Sequence, residues 1–123
     1  MRALPLLAIG LGGAIGTGAR LGLSLAGQVW LPQEVWLATL LANILGAALI
    51  GYLSQQRLAP LWQAFLMTGF CGGFTTFSLF SLETLLLAQR SFWLAAGYAG
   101  ASLLLWSMAV WAGYGLGQPR ESR

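Results

Sequence analysis

The chain has 123 residues, of which 58% are hydrophobic and 7% charged, with a formal net charge of +3. Soluble domains carry about 25% charged residues, so this composition cannot build the mixed charged surface that keeps a domain in water. The absence of His, Asp and Lys removes the usual catalytic constellations, a dispersed +3 leaves no basic stripe for nucleic acid, and the single Cys71 has no partner for an intrachain disulfide.

The charged residues leave uncharged runs at 3–19, 35–56, 58–82 and 91–119. A spanning helix needs about 20 mostly apolar residues. The last three runs meet that length, and the first does so when carried across Arg20 to about residue 26. The spacing predicts a single all-α transmembrane domain over 1–123, with helices at 4–25, 35–53, 61–87 and 92–115. A cleaved signal peptide ending at Ser24-Leu25-Ala26 is the alternative for the first run. Glycines at 10, 12, 13, 16 and 18, together with Arg20, oppose it, because a signal core is a short unbroken apolar run.

In helix 1, Arg20 is the only positive charge within a helical run. Such a residue either marks a pathway or snorkels to the interface. Helix 2 carries Thr39, Asn43, Ala47 and Gly51 at four-residue spacing, one small and partly polar stripe. Asn43 is the only asparagine. An amide at membrane depth is costly unless bonded, so it is an interhelical clasp or an anion donor, and both stand at this point. Pro60 suits the first turn of helix 3.

Within helix 3, Gly72-Gly73 and Thr75-Thr76 are poor helix formers and predict a mid-membrane break near 71–76. Freed carbonyls there must face protein, water or an ion, and broken helices that offer carbonyls to a cation are a transporter device. A kink with threonine hydroxyls bonded back to the helix is the other reading. Phe77, Phe80 and Ser81 follow at three- and four-residue spacing and share a face. Paired phenylalanines ordinarily pack; their weakly positive ring edges also suit an anion path. In helix 4, Tyr98 and Ser102 lie one turn apart, as a polar track or as interhelical hydrogen bonds.

Trp30, Trp36, Trp62 and Trp93 fall near helix ends, as an interfacial belt requires. Trp106 and Trp111 lie deeper and do not follow that rule. The pairs Gly12/Gly16, Gly18/Gly22, Gly69/Gly73 and Gly113/Gly117 allow close helix approach in lipid. Four helices make a thin wall around a polar path, so an oligomer is expected. Arg2, Arg57, Arg120 and Arg123 lie on one side and Arg90 on the other, which favours a cytoplasmic N-terminus.

These residues resemble the CrcB/Fluc fluoride channel family over nearly the whole chain. The strongest part is Gly69-Phe70-Cys71-Gly72-Gly73-Phe74-Thr75-Thr76-Phe77-Ser78. Gly12-Gly13-Ala14-Ile15-Gly16 running on to Arg20, and Thr39 to Asn43-Ile44-Leu45-Gly46, support it. The resemblance implies a dual-topology dimer of antiparallel copies in the cell membrane, with the broken helices crossing at its centre. It implies a structural sodium ion on the backbone carbonyls of Gly72 and Thr75. It also implies two fluoride pathways along Phe77 and Phe80, with Asn43 and Ser78 as donors, Tyr98 and Ser102 continuing the track, and Arg20 at the vestibule. The expected function is passive fluoride efflux.

The chain departs from the family pattern at Leu79, Leu21, Ala38 and Ala42, and at Trp106, where a small polar residue is expected. The arginine bias sits uneasily with dual topology and leaves a heterodimer with a paired homologue beside the homodimer. A small multidrug-type transporter is the rival reading, but it needs a carboxylate in helix 1, and helix 1 has none. A non-transporting membrane protein is the third.

Overall fold

The computed structural model describes residues 2–120, and Arg123, which enters the arginine bias, lies outside them. Four helical spans are long and apolar enough to cross a membrane: Ala3–Trp30, Val35–Leu53, Pro60–Arg90 and Phe92–Gly117. The first two are α1 and α2. The third comprises α3 (Pro60–Gln63), a π-helical segment (Ala64–Cys71), α4 (Gly72–Phe74) and α5 (Phe77–Arg90); the last span is α6. Among the described residues there is no strand.

Prolines mark the ends. The residue before a proline is pushed out of the α region. Leu31 (φ −138°, ψ 66°) precedes Pro32, Ala59 (φ −58°, ψ 148°) precedes Pro60, and Gln118 (φ −65°, ψ 138°) precedes Pro119. Helix α1 therefore runs through Gly27 to Trp30 and not to the expected end at Leu25: glycine weakens a helix, but only the proline stops it. At 1.5 Å per residue, α1 is about 42 Å long. That exceeds the hydrocarbon thickness of about 30 Å, so α1 reaches into the headgroups or tilts.

The packing is that of a membrane protein. Leu4, Leu7, Leu11, Leu85, Leu104 and Leu116 are exposed, whereas Ala38, Ala42, Ala95 and Ala109 are buried. Small residues at the contacts let backbones approach where lipid supplies no hydrophobic drive between helices. Helix α1 lies on the π segment and α4, α2 runs along α6, and α5 packs on α6. A Cβ on Gly12 or Gly16 would overlap the carbonyls of Phe65 or Phe70, and one on Gly73 would overlap that of Gly13. A Cβ on Gly113 would meet the Ala48 carbonyl, and one on Gly51 the Val110 carbonyl. Gly18 and Gly22 are different: nothing lies within 4 Å of a Cβ at either position. That pair plays no part in packing within the chain.

Of the tryptophans, Trp30, Trp62 and Trp93 are exposed. Trp36 is half-buried and donates to Glu34 at 2.6 Å. Trp111 is 83% exposed, on an outward side of α6. Trp106 faces inward against Phe80.

Candidate functional site

The site begins where the third span leaves helical geometry. Thr75 (φ −83°, ψ 157°) and Thr76 (φ −150°, ψ 124°) are both extended between α4 and α5. The Thr75 amide and hydroxyl both donate to the Cys71 carbonyl, at 3.0 and 2.9 Å. The Thr76 amide turns away from the helix and donates to Asn43 Oδ1 at 2.7 Å, while Asn43 Nδ2 donates to the Thr76 carbonyl at 2.9 Å. One buried side chain thus takes both backbone groups of one residue, as a neighbouring strand would. The Gly72 carbonyl, helical partner of the Thr76 amide in an unbroken chain, loses that donor. Thr76 also caps α5, its Oγ1 accepting from the Leu79 amide at 3.2 Å.

Of the two roles left for Asn43, the clasp is what the structure contains. Its amide nitrogen has two N–H groups, and a single acceptor, the Thr76 carbonyl, is found for them. Arg20 is half-buried. Its Nε donates to the Gly73 carbonyl at 3.3 Å, and Thr17 Oγ1 reaches the same oxygen at 3.3 Å. The arginine thus covers one carbonyl of the break. Ser78 is exposed and shares a 3.1 Å hydrogen bond with Thr76 Oγ1. Ser81 turns back to the Phe77 carbonyl at 2.9 Å.

A turn beyond the break, Phe80 is buried while Phe77 is 67% exposed. Their centroids are 5.4 Å apart with a 53° tilt. Phe80 also touches Tyr98 at 5.4 Å and Trp106 at 4.7 Å, the latter edge to face at 71°. A cleft of about 230 Å³ on this side is lined by Asn43, Ala47, Thr75, Thr76, Phe77 and Trp106. A larger cavity of about 590 Å³ has Glu34, Trp36 and Arg90 among its lining residues, with Tyr98 and Ser102.

Tyr98 and Ser102 do not share one role. The Tyr98 hydroxyl donates to Glu83 at 2.7 Å, and Thr39 donates to the other carboxylate oxygen at 2.7 Å. Tyr98 is therefore an interhelical bond, its proton committed to a carboxylate. Ser102 is fully buried and its hydroxyl has no partner. Glu83 itself is the residue that sequence reasoning missed. Its place three residues after Phe80 was visible, but contact with α2 and α6 emerges only on folding. Arg90 lines the larger cavity and Trp106 the smaller cleft.

Among the described residues, no cluster of His, Cys, Asp or Glu has a metal-binding arrangement. The Thr76 amide, bonded to Asn43, does not return to the Gly72 carbonyl. A Cβ on Gly72 would meet nothing within 4 Å.

Comparison with known proteins agrees with the architecture. The family model described as CrcB-like protein, Camphor Resistance (CrcB), matches residues 7–114. The fluoride-specific ion channel FluC of Saccharophagus degradans is 42% identical over 112 residues, covering 85% of this chain and 82% of that protein. FluC of Nitratidesulfovibrio vulgaris is 40% identical, covering 89% and 94%, and FluC 2 of Bacillus subtilis is 44% identical over 100 residues, covering 79% and 75%. Four apolar spans and these matches lead to one conclusion: the chain is a multi-pass membrane protein and belongs to the CrcB-like family.

Proposed function

We infer that this protein is a fluoride-specific ion channel of the cell membrane, conducting fluoride passively outward so that the cytoplasmic concentration stays low. The observation that carries the reading is about 40% identity to fluoride-specific channels over most of both chains. The local chemistry supports it. A narrow anion path must replace the ion's water with donors of the right spacing and field. The buried Phe80 ring, the fully buried and unpartnered Ser102 hydroxyl, and the second N–H of Asn43 beside Phe77 have that character. Phe77 and Ser78 are exposed in a single chain, which fits a path completed by a second copy.

That second copy is taken to be antiparallel, with the interrupted third spans crossing mid-membrane. Under twofold symmetry each chain contributes the same atoms. The Gly72 and Thr75 carbonyls of both copies would then form a cage of hard oxygen ligands suited to sodium. The release of the Gly72 carbonyl by the Asn43 clasp supports this assignment. A bound sodium would supply charge that holds the interface, while Arg20 on the Gly73 carbonyl lends positive potential to the nearby path. A homodimer is the simpler assembly; a paired homologue would account for the arginine bias.

The test is fluoride efflux from liposomes of phosphatidylethanolamine and phosphatidylglycerol containing purified protein, read with a fluoride electrode. Rapid efflux with retention of chloride is expected; no efflux, alone or with a co-expressed paired homologue, overturns the reading. Phe80→Ile removes the ring edge while keeping an apolar body. It is expected to lower flux at least about tenfold, the effect of roughly 1.4 kcal/mol on a barrier, with an unchanged elution profile. Normal flux in that variant removes Phe80 from the path.

A further inference from the structure

Buried polar groups are nearly always bonded, so the exceptions carry information. Among the described residues, the buried side-chain polar atoms without a partner are Ser102 Oγ and Trp106 Nε1. They lie four residues apart on α6, hence on one face and one turn from each other. The Trp106 ring packs edge to face on Phe80, with centroids 4.7 Å apart. The same tryptophan lines the 230 Å³ cleft with Asn43, Thr76 and Phe77. The Thr76 carbonyl on that wall already accepts from Asn43.

We propose that the Trp106 indole N–H is a fluoride donor in the conduction path, following Ser102 one turn along α6. This rests on the channel reading above. Indole is a donor and never an acceptor, so the group that meets Nε1 must be an acceptor, and a cation is excluded at that point. A hydroxyl can turn its oxygen toward an ion as readily as its proton, whereas the indole presents only N–H. Its bulk also narrows the cleft where a small polar side chain would leave it wide. Both properties favour a small, strongly accepting anion over a larger one.

The experiment uses full-length protein labelled with 15N-tryptophan, in lipid nanodiscs of the same two phospholipids. Trp106→Phe keeps a ring against Phe80 and removes the N–H, so the indole resonance it deletes is that of Trp106. In the wild type this resonance is expected to move downfield on titration with sodium fluoride and to stay in place with sodium chloride. Reconstituted Trp106→Phe is expected to lose about ten- to a hundredfold of fluoride flux, the range for a lost hydrogen bond to a charged group. Trp111→Phe, on the exposed side of α6 away from Phe80, is expected to conduct as wild type.

A resonance indifferent to fluoride overturns the proposal, as does wild-type flux in Trp106→Phe. Should Trp106→Phe fail to fold, the resonance is assigned by elimination, replacing the other five tryptophans singly, and the titration still decides. A wild type that conducts no fluoride overturns the channel reading and this inference together. A conducting wild type with an unmoved resonance overturns only the role of Trp106.

Discussion

Helix α6 presents one continuous buried stripe whose two halves are chemically opposite. Ala109, Gly113 and Gly117 form the C-terminal half, and Ala95, Tyr98 and Ser102 the N-terminal half, at spacings of three, four and seven residues. In the C-terminal half backbone meets backbone: Gly113 lies on Ala48, and Gly117 on Tyr52. That is how helices associate in lipid, by close contact between small residues. In the N-terminal half the contacts are made by side chains. Tyr98 reaches Glu83, Ser102 reaches nothing, and Trp106, half-buried on the same face, leaves its N–H unpaired. A buried donor without a partner costs about 1–3 kcal/mol, so the polar half is the less stable way to pack α6. Its retention makes sense if the missing partners are the ions that pass.

The strongest way to break this contrast is to disturb the tight half. Gly113→Leu drives a side chain into the Ala48 backbone, which cannot move aside as a side-chain tip can. Overpacking a core ordinarily costs about 1–3 kcal/mol; here two helices must separate, and a loss above about 3 kcal/mol is expected. It would appear as aggregation on size exclusion in mild detergent. A stable, monodisperse Gly113→Leu protein would show that this half is not closely packed.

Tyr98→Phe tests the polar half at its one satisfied bond. The variant keeps the ring against Phe80 and removes one of two hydroxyls from Glu83. A hydrogen bond to a charged group contributes about 1.5–3 kcal/mol, so a modest fall in the thermal midpoint of aggregation is expected. An unchanged midpoint would mean that Glu83 is not held from α6. Paired with Thr39→Val, the variant would also show whether the two hydroxyls act independently.

How much of this was visible in the sequence follows from how far apart the partners lie along the chain. Local signals were sufficient for the four apolar spans; of the residues read as breakers, Thr75 and Thr76 are extended, whereas Gly72 and Gly73 are helical. Helix α1 runs past the expected end at residue 25, because the chain turns only at Leu31 before Pro32. The site was harder. Asn43 was singled out as a costly amide, but its grip on both backbone groups of Thr76 depends on α2 lying against the break. Tyr98 and Ser102 looked equivalent, and only the position of Glu83 on α5 separates them. The four-residue glycine pairs looked alike as well, yet Gly18 and Gly22 face open space while Gly113 and Gly117 do not. Periodicity identifies a helix face without identifying what that face meets.

The smallest expected change in stability is also the most discriminating, because stability and flux should move in opposite directions. Ser102 is wholly buried and its hydroxyl is unpartnered. Ser102→Ala removes an unsatisfied group and leaves a nearly isosteric methyl, so the fold should gain up to about 1 kcal/mol or stay level. If the hydroxyl only packed, flux would follow stability and remain at the wild-type level. If it donates to the passing ion, flux falls by roughly tenfold, the effect of about 1.4 kcal/mol on the barrier, while the thermal midpoint holds or rises. A drop in both together would mean that an unseen partner satisfies Ser102 in the assembled protein, and the contrast between the two halves of α6 would then be one of packing alone.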